Sequence, residues 1–151
     1  MKRIIFLTIL FLMVFCSSAF ADGSVTVTVS HESQNLKKTV IEWIADASDA
    51  TVPDAEIDDT LLIGSYLVLC ITDPGSTAPT DDYDITIIDE YSVDVAGGQM
   101  IDRDEATSEQ VVPKIDTVYA SRLYGGVWTF NLDNNSVNSA TGTCVLYFEV
   151  Q

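Results

Sequence analysis

The sequence predicts an all-β protein: a single-domain antiparallel β-sandwich, jelly-roll or immunoglobulin-like in plan, with about eight or nine strands. Three observations carry this. Apolar and polar residues alternate with a period of two in one segment after another, as in strands with one face in a core. Clusters of Gly, Pro, Asn, Asp and Ser separate those segments, as turns do. The one short helical candidate, 104–109, is too polar to pack against anything.

In chain order, Val25, Val27 and Val29 alternate with Thr26, Thr28 and Ser30 and predict a first strand. Ile41 and Trp43 alternate with Val40, Glu42 and Ile44. The run 66–71 is apolar on both faces and reads as a central strand. Tyr83, Ile85 and Ile87 alternate with Asp84, Thr86 and Ile88, and Trp128, Phe130 and Leu132 with Thr129, Asn131 and Asp133. Cys144, Leu146, Phe148 and Val150 mark a final strand. Weaker strand signals lie at 60–63, 92–95 and 110–118. Pro113 has no N–H to give and puts the last of these at an edge or a bulge. Residues 46–59 read as a long acidic loop, 73–82 and 133–142 as turn-rich loops, and the Gly97-Gly98 and Gly125-Gly126 pairs as tight connections. The expected core is Trp43, Leu67, Leu69, Ile85, Ile87, Trp128, Phe130, Leu146 and Phe148.

Ahead of this domain, Lys2 and Arg3 precede an apolar run through Phe15, and Ala19-Phe20-Ala21 precedes Asp22. That order of basic, apolar and small residues is the form of a secretory signal peptide, and an apolar run of about 12 residues is short for a membrane span. The expected division is therefore 1–21 as a cleaved signal, 22–35 as an N-terminal strand or extension, and 36–151 as the sandwich. The expected location is beyond the inner membrane: periplasm, cell surface or medium. After cleavage five basic residues (Lys37, Lys38, Arg103, Lys114 and Arg122) face all 23 acidic ones, a net charge of −18. Such a charge repels nucleic-acid backbones and anionic bilayers, so neither is an expected partner. With 47% hydrophobic residues the chain is too apolar for an acidic disordered segment.

Chemistry is sparse. Nucleophilic catalysis needs a nucleophile beside a base, and His31, the only histidine, falls at the end of the first strand. There is no G-x-S-x-G elbow and no phosphate-binding glycine loop, and no catalytic residue is assigned. Two cysteines remain after cleavage, Cys70 and Cys144, an even number in an oxidising compartment; they are either a disulfide or two buried free thiols. Calcium takes oxygen ligands from acidic loops. The candidate ligands are Asp81, Asp82 and Asp84 with Asp102, Asp104 and Glu105, and a further acidic group spans Asp46, Asp49, Asp54, Asp58 and Asp59. None of these has EF-hand spacing, and ordinary solvated loops are the competing explanation. Carboxylate pairs suited to glycoside hydrolysis carry little information where 23 acids make some pair inevitable.

The segment Pro74-Gly75-Ser76-Thr77-Ala78-Pro79-Thr80-Asp81-Asp82-Tyr83-Asp84-Ile85-Thr86-Ile87 resembles a recurring stretch of small bacteriophage and prophage proteins. Asp94-Val95 with Gly97-Gly98, Arg103, and Glu109-Gln110-Val111-Val112-Pro113 are similar to them as well. So are Asn134-Asn135-Ser136-Val137-Asn138-Ser139-Ala140-Thr141-Gly142-Thr143 with the following Val145 to Phe148, and the earlier Trp43 and Asp46-Ala47-Ser48. These relatives are uncharacterised, virion-associated β-proteins, and the resemblance implies a structural module with no activity to carry over. This chain departs from them in its signal segment and in the alternating strand at its N-terminus.

The expected function is that of an exported, non-enzymatic structural subunit, associating with itself or with a surface or virion-type structural partner through strand edges. Val25, Val27 and Val29 are the candidate assembly strand, either donated to a neighbour or paired within the domain. The alternative is a calcium-dependent extracellular binding module, and behind it a small secreted carboxylate hydrolase.

Overall fold

Val, Ile, Thr and aromatic residues dominate the segments that pair most fully, because branched and flat side chains fit a pleated, half-buried surface. The computed structural model describes residues 22–150; the expected signal segment, 1–21, lies outside the described residues. The strands are β1 (Ser24–His31), β2 (Leu36–Ile44), β3 (Ala55–Ile57), β4 (Ser65–Pro74), β5 (Asp84–Ile88), β6 (Glu109–Val111), β7 (Lys114–Ile115), β8 (Val118–Tyr119), β9 (Arg122–Leu123), β10 (Trp128–Asp133) and β11 (Thr141–Val150).

One sheet runs β1-β2-β11-β4-β6, with β9 also on β4; the other runs β3-β10-β5. Every pairing is antiparallel. The chain crosses between sheets at β2 to β3, β3 to β4, β4 to β5, β5 to β6, β9 to β10 and β10 to β11. Four strands, β2-β11-β4-β6, thus face β3-β10-β5, and a bridge from Ile88 to Asp94 adds the start of a fourth strand to the second sheet. This is the jelly-roll arrangement among the two expected. The eleven strands exceed the expected eight or nine because β3 and β6 to β9 are separate pieces of only two or three residues.

Several local expectations are corrected. Residues 60–64 form turns, closed by Ser65 N donating to Leu62 O at 2.9 Å. Within 92–95 only Asp94 pairs. The 110–118 signal is split by Pro113 into β6 and the small β7–β8 hairpin. The acidic loop 46–59 contains β3, and 104–109 holds no helix.

The core lies between the sheets. Ile41, Trp43, Leu67, Cys70, Cys144, Leu146 and Phe148 project inward from the first sheet, and Ile57, Ile85, Ile87, Trp128, Phe130 and Leu132 from the second. Tyr124 packs edge-on against both Trp128 (4.8 Å between centroids) and Phe148 (5.9 Å), and its hydroxyl donates to Ile57 O at 2.5 Å. Gly142 faces the Trp43 indole across the β2–β11 pair; a Cβ there would lie 2.7 Å from Trp43 Cε2. The absence of a side chain is what lets the ring lie flat against the strand.

Leu69 is the one expected core residue that is not fully buried. The β4–β11 register shifts between Tyr147 and Phe148: Tyr147 opposes Leu69, but Phe148 opposes Leu67. The extra residue, Val68, makes a β-bulge, so Leu67 and Cys70 both point inward and Leu69 turns to the outer face. Leu67→Ala is therefore expected to cost about 2–5 kcal/mol, as for a buried large-to-small change. Leu69→Ala is expected to cost clearly less, and urea unfolding of the two variants checks the difference.

Candidate functional site

The longest strand edge without a partner among the described residues is the outer edge of β1. All of its residues pair with β2, from Ser24 opposite Ile44 to His31 opposite Lys37. The expected assembly strand thus pairs at home on one side. The hairpin closes with Glu32 N donating to Leu36 O (2.9 Å), and on the far side of β2 Ala45 N donates to Ala140 O (2.8 Å). Backbone direction alternates along an antiparallel ladder. Ser24, Thr26, Thr28 and Ser30 therefore bond to β2, and the N–H and C=O groups of Val25, Val27, Val29 and His31 point away from the sheet. Among the described residues no strand pairs with them. The side chains of Val25, Val27 and Val29 lean on the core, and those of Ser24, Thr26 and Thr28 are exposed on the outer face. Between Asp22 and Glu32 the strand carries no lysine, proline, bulge or carboxylate, the devices by which edge strands are usually protected.

The other edges are short or covered. β6 and β9 occupy opposite ends of β4, and the chain between them leaves the sheet at Pro113 and forms the β7–β8 hairpin, held by Lys114 N donating to Ala96 O at 3.1 Å. The outer side of β5 is taken by the following chain: Ile85 N donates to Met100 O and Val95 N to Ile87 O, both at 2.8 Å. β3 is three residues long, carries Glu56 at its centre and is flanked by Asp54 and Asp58.

The acidic loops fold inward on their own backbone. Asp46 accepts from Ser48 N (2.5 Å) and Asp49 N (3.1 Å), Asp49 from Thr51 N (3.0 Å), and Asp59 from Leu61 N (2.8 Å). Asp104 accepts from Ala106 N (2.7 Å) and Thr107 N (2.8 Å). Asp94 accepts from Ala96 N (3.1 Å) and Gly98 N (2.6 Å), fixing a turn whose Gly97 and Gly98 have φ of 66° and 72°. These are Asx turns, in which a carboxylate replaces a backbone acceptor. The candidate calcium ligands do come side by side, because Tyr83 bridges Arg103. Yet Asp84 is taken by Asp102 N (2.8 Å) and by Asn134 Nδ2, and Asp104 by its own turn. Asp81, Asp82 and Glu105 stay on exposed loops, and Asp102 is exposed too. Among the described residues no three acidic, histidine or cysteine side chains converge on one point.

Of the two alternatives for Cys70 and Cys144, the structure has them as free, fully buried thiols. The register sets Cys144 opposite Thr72 and Cys70 opposite Leu146, so the two sulfurs lie on a diagonal of the β4–β11 pair. Diagonal neighbours sit roughly 7–8 Å apart, beyond the usual span of a bridge. Burial pushes the Cys144 thiol up to about 12, and burial, with the nearby Cys144, pushes Cys70 well up. Both stay protonated and behave as small core residues. His31 sits exposed at the end of β1, far from either thiol in the sheet.

Three polar loops, 46–51, 74–80 and 134–141, meet at one end of the sandwich. Gly75 N donates to Thr141 O (2.7 Å) and Thr141 N to Thr77 O (2.9 Å). Thr80 N donates to Asn135 Oδ1 (3.2 Å), and Ser136 N to Thr80 Oγ1 (2.7 Å). Asn135 Nδ2 also reaches Ala50 O (2.9 Å), and Ser139 N reaches Asp46 O (3.2 Å). Loops 46–51, 74–80 and 134–141 are thereby tied into one closure. Surface hollows are shallow: one beside β1 is lined by Ser24, Thr26, Trp43 and Gly142 with Glu42 as its only acid, and one near Arg122 holds Asp89 and Glu90.

No family model matches this chain, and no curated protein does. Among solved structures, the crystal structure of a cupin domain from Bordetella pertussis Tohama I is similar, with 9% identity and a TM-score of 0.33, over 87% of this chain and 100% of that one.

Asp89 shows what the internal carboxylates do for stability. Its partial burial raises the carboxyl, but bonds from Val93 N and Tyr91 N and the Arg122 guanidinium at 3.1 Å outweigh this and hold it below the usual range. Asp46 and Asp104 are lowered too, chiefly by hydrogen bonds from Ser48 and from Ala106 and Thr107. A depressed folded-state pKa adds stability above the unfolded value and loses it as the folded carboxylate is protonated. The melting temperature is expected to fall as pH drops below about 4. Asp89→Asn, which keeps an acceptor but cannot titrate, should flatten part of that fall in a calorimetric pH series.

Proposed function

We propose that this chain is an exported structural subunit, without catalysis of its own, that joins copies of itself or a structural β partner through the outer edge of β1. The observation that carries the reading is a charge-free, alternating edge strand with the backbone groups of Val25, Val27, Val29 and His31 left outward. Strand addition to such an edge gives affinity through main-chain hydrogen bonds and needs no pocket. The high negative charge fits a soluble exported subunit whose contact surface is one of the few uncharged stretches of the molecule. The resemblance to virion-associated β-proteins points the same way. Buried, protonated thiols and carboxylates occupied by their own turns support the non-catalytic part of the reading.

The test is the mass of the protein recovered after export of the full-length chain, by light scattering on a sizing column. An assembly larger than a monomer is expected. Val27→Pro removes one outward N–H while leaving the bonds to β2 intact, and is expected to shift the mass to that of a monomer with strand content retained by circular dichroism. A wild-type chain that stays monomeric at about 100 µM overturns the reading.

A further inference from the structure

We infer that the partner of β1 is β1 of a second copy, and that the assembly closes as a two-fold dimer with Thr28 on its axis. This rests on the reading of β1 as an assembly edge and narrows it to one partner and one register.

The first step is elimination of an open chain. Head-to-tail growth needs two different sheet edges on each molecule, whereas a two-fold contact uses one surface twice. β6 and β9 are short and the chain between them leaves the sheet. β5 is covered by its own downstream chain, and β3 offers three residues among carboxylates. β1 is the long unpaired edge among the described residues, so a second β1 is the edge available to it.

Register follows from backbone direction. The outward-facing residues are Val25, Val27, Val29 and His31. In an antiparallel pair, bonding residues must oppose bonding residues. A two-fold axis at Thr28 places Val25 opposite His31 and Val27 opposite Val29, and the symmetry repeats both pairs. All four outward residues of each strand are then matched, for about eight hydrogen bonds at two per pair. Moving the axis to Val27 or Val29 takes an outward residue past the end of the partner strand.

Side chains and charge agree with this register. Thr28 meets its own copy, and Thr26 meets Ser30, so small residues line the seam on the outer face. Glu32 falls opposite Ser24 rather than another acid, and its charge is already met by Lys38 at 2.9 Å. Two strongly acidic molecules can approach here because the strand between Asp22 and Glu32 holds no carboxylate.

Cysteine placement tests the geometry. Residues opposite one another at a non-hydrogen-bonded position have Cα atoms about 4.5 Å apart, within the range that a disulfide spans. Thr28→Cys is expected to convert the full-length exported protein almost completely to a covalent dimer under mild oxidation, read on a non-reducing gel. Thr26→Cys, facing Ser30 of the other copy, is expected to give at least tenfold less. Cys70 and Cys144 are buried and contribute no background. Thr28→Lys sets two ammonium groups against each other and is expected to yield monomer, and mixing it with Thr28→Glu is expected to restore dimers. If the wild-type chain is a dimer but Thr28→Cys fails to cross-link, or if Thr26→Cys cross-links as well, the register is wrong while association stands. An assembly that grows beyond two copies overturns closure alone. A wild-type monomer overturns this inference and the reading beneath it.

Discussion

The fold depends on β11 pairing along its length with two strands at once. Its residues from Thr141 to Glu149 bond to β2 on one side, and those from Gly142 to Val150 bond to β4 on the other. Cys144, Leu146 and Phe148 carry the inner face of that strand into the core, and Gly142 makes room for Trp43. The first sheet is organised around this line: β1 is held by β2, and β6 and β9 by β4. The second sheet then has a floor to pack on, with Trp128 and Phe148 in tilted contact at 5.8 Å.

Much of this was legible from residue alternation. β1, β2, β5, β10 and β11 stand where period-two patterns put them, because each has one face in the core and one outside. What alternation could not reveal falls into two kinds. Strands of two or three residues have no period to read, so β3 and β9 emerge only from their tertiary partners, and the division of 110–118 into β6 and the β7–β8 hairpin was not legible. A bulge breaks the count of two, and the apolar run through Leu69 gives no hint of which residue turns outward. Lys37 departs from alternation in its chemistry: it is buried on the inner face, and its ammonium donates to the Leu61 carbonyl of a distant loop.

The candidate edge was readable as a strand, but its openness was not. Only the full strand order shows that β1 is a long terminal strand of its sheet, while β5 is covered by following chain and β6, at the other end, is three residues long. The acidic residues pose a different question. Aspartates close in sequence suggest shared ligands, yet Asp46, Asp59, Asp94 and Asp104 each turn to nearby amides, as short acidic side chains do where the backbone bends. Their clustering reports how many sharp turns a jelly roll needs between crossing strands. The tie between loops 74–80 and 134–141 has the same character: their polar groups are consumed in closing one end of the sandwich.

The position of β11 also governs when the molecule can take shape. Lys37 must find Phe148, and Ile41 must find Cys144, across almost the full length of the domain. Such distant pairings pay their loop-closure entropy before any contact rewards it, which slows folding. The middle of the first sheet is completed only when the last strand has been made, so a growing chain has no finished sheet on which to stall. A polypeptide wired in this way is held open by its own topology during synthesis and becomes a solid object late and all at once.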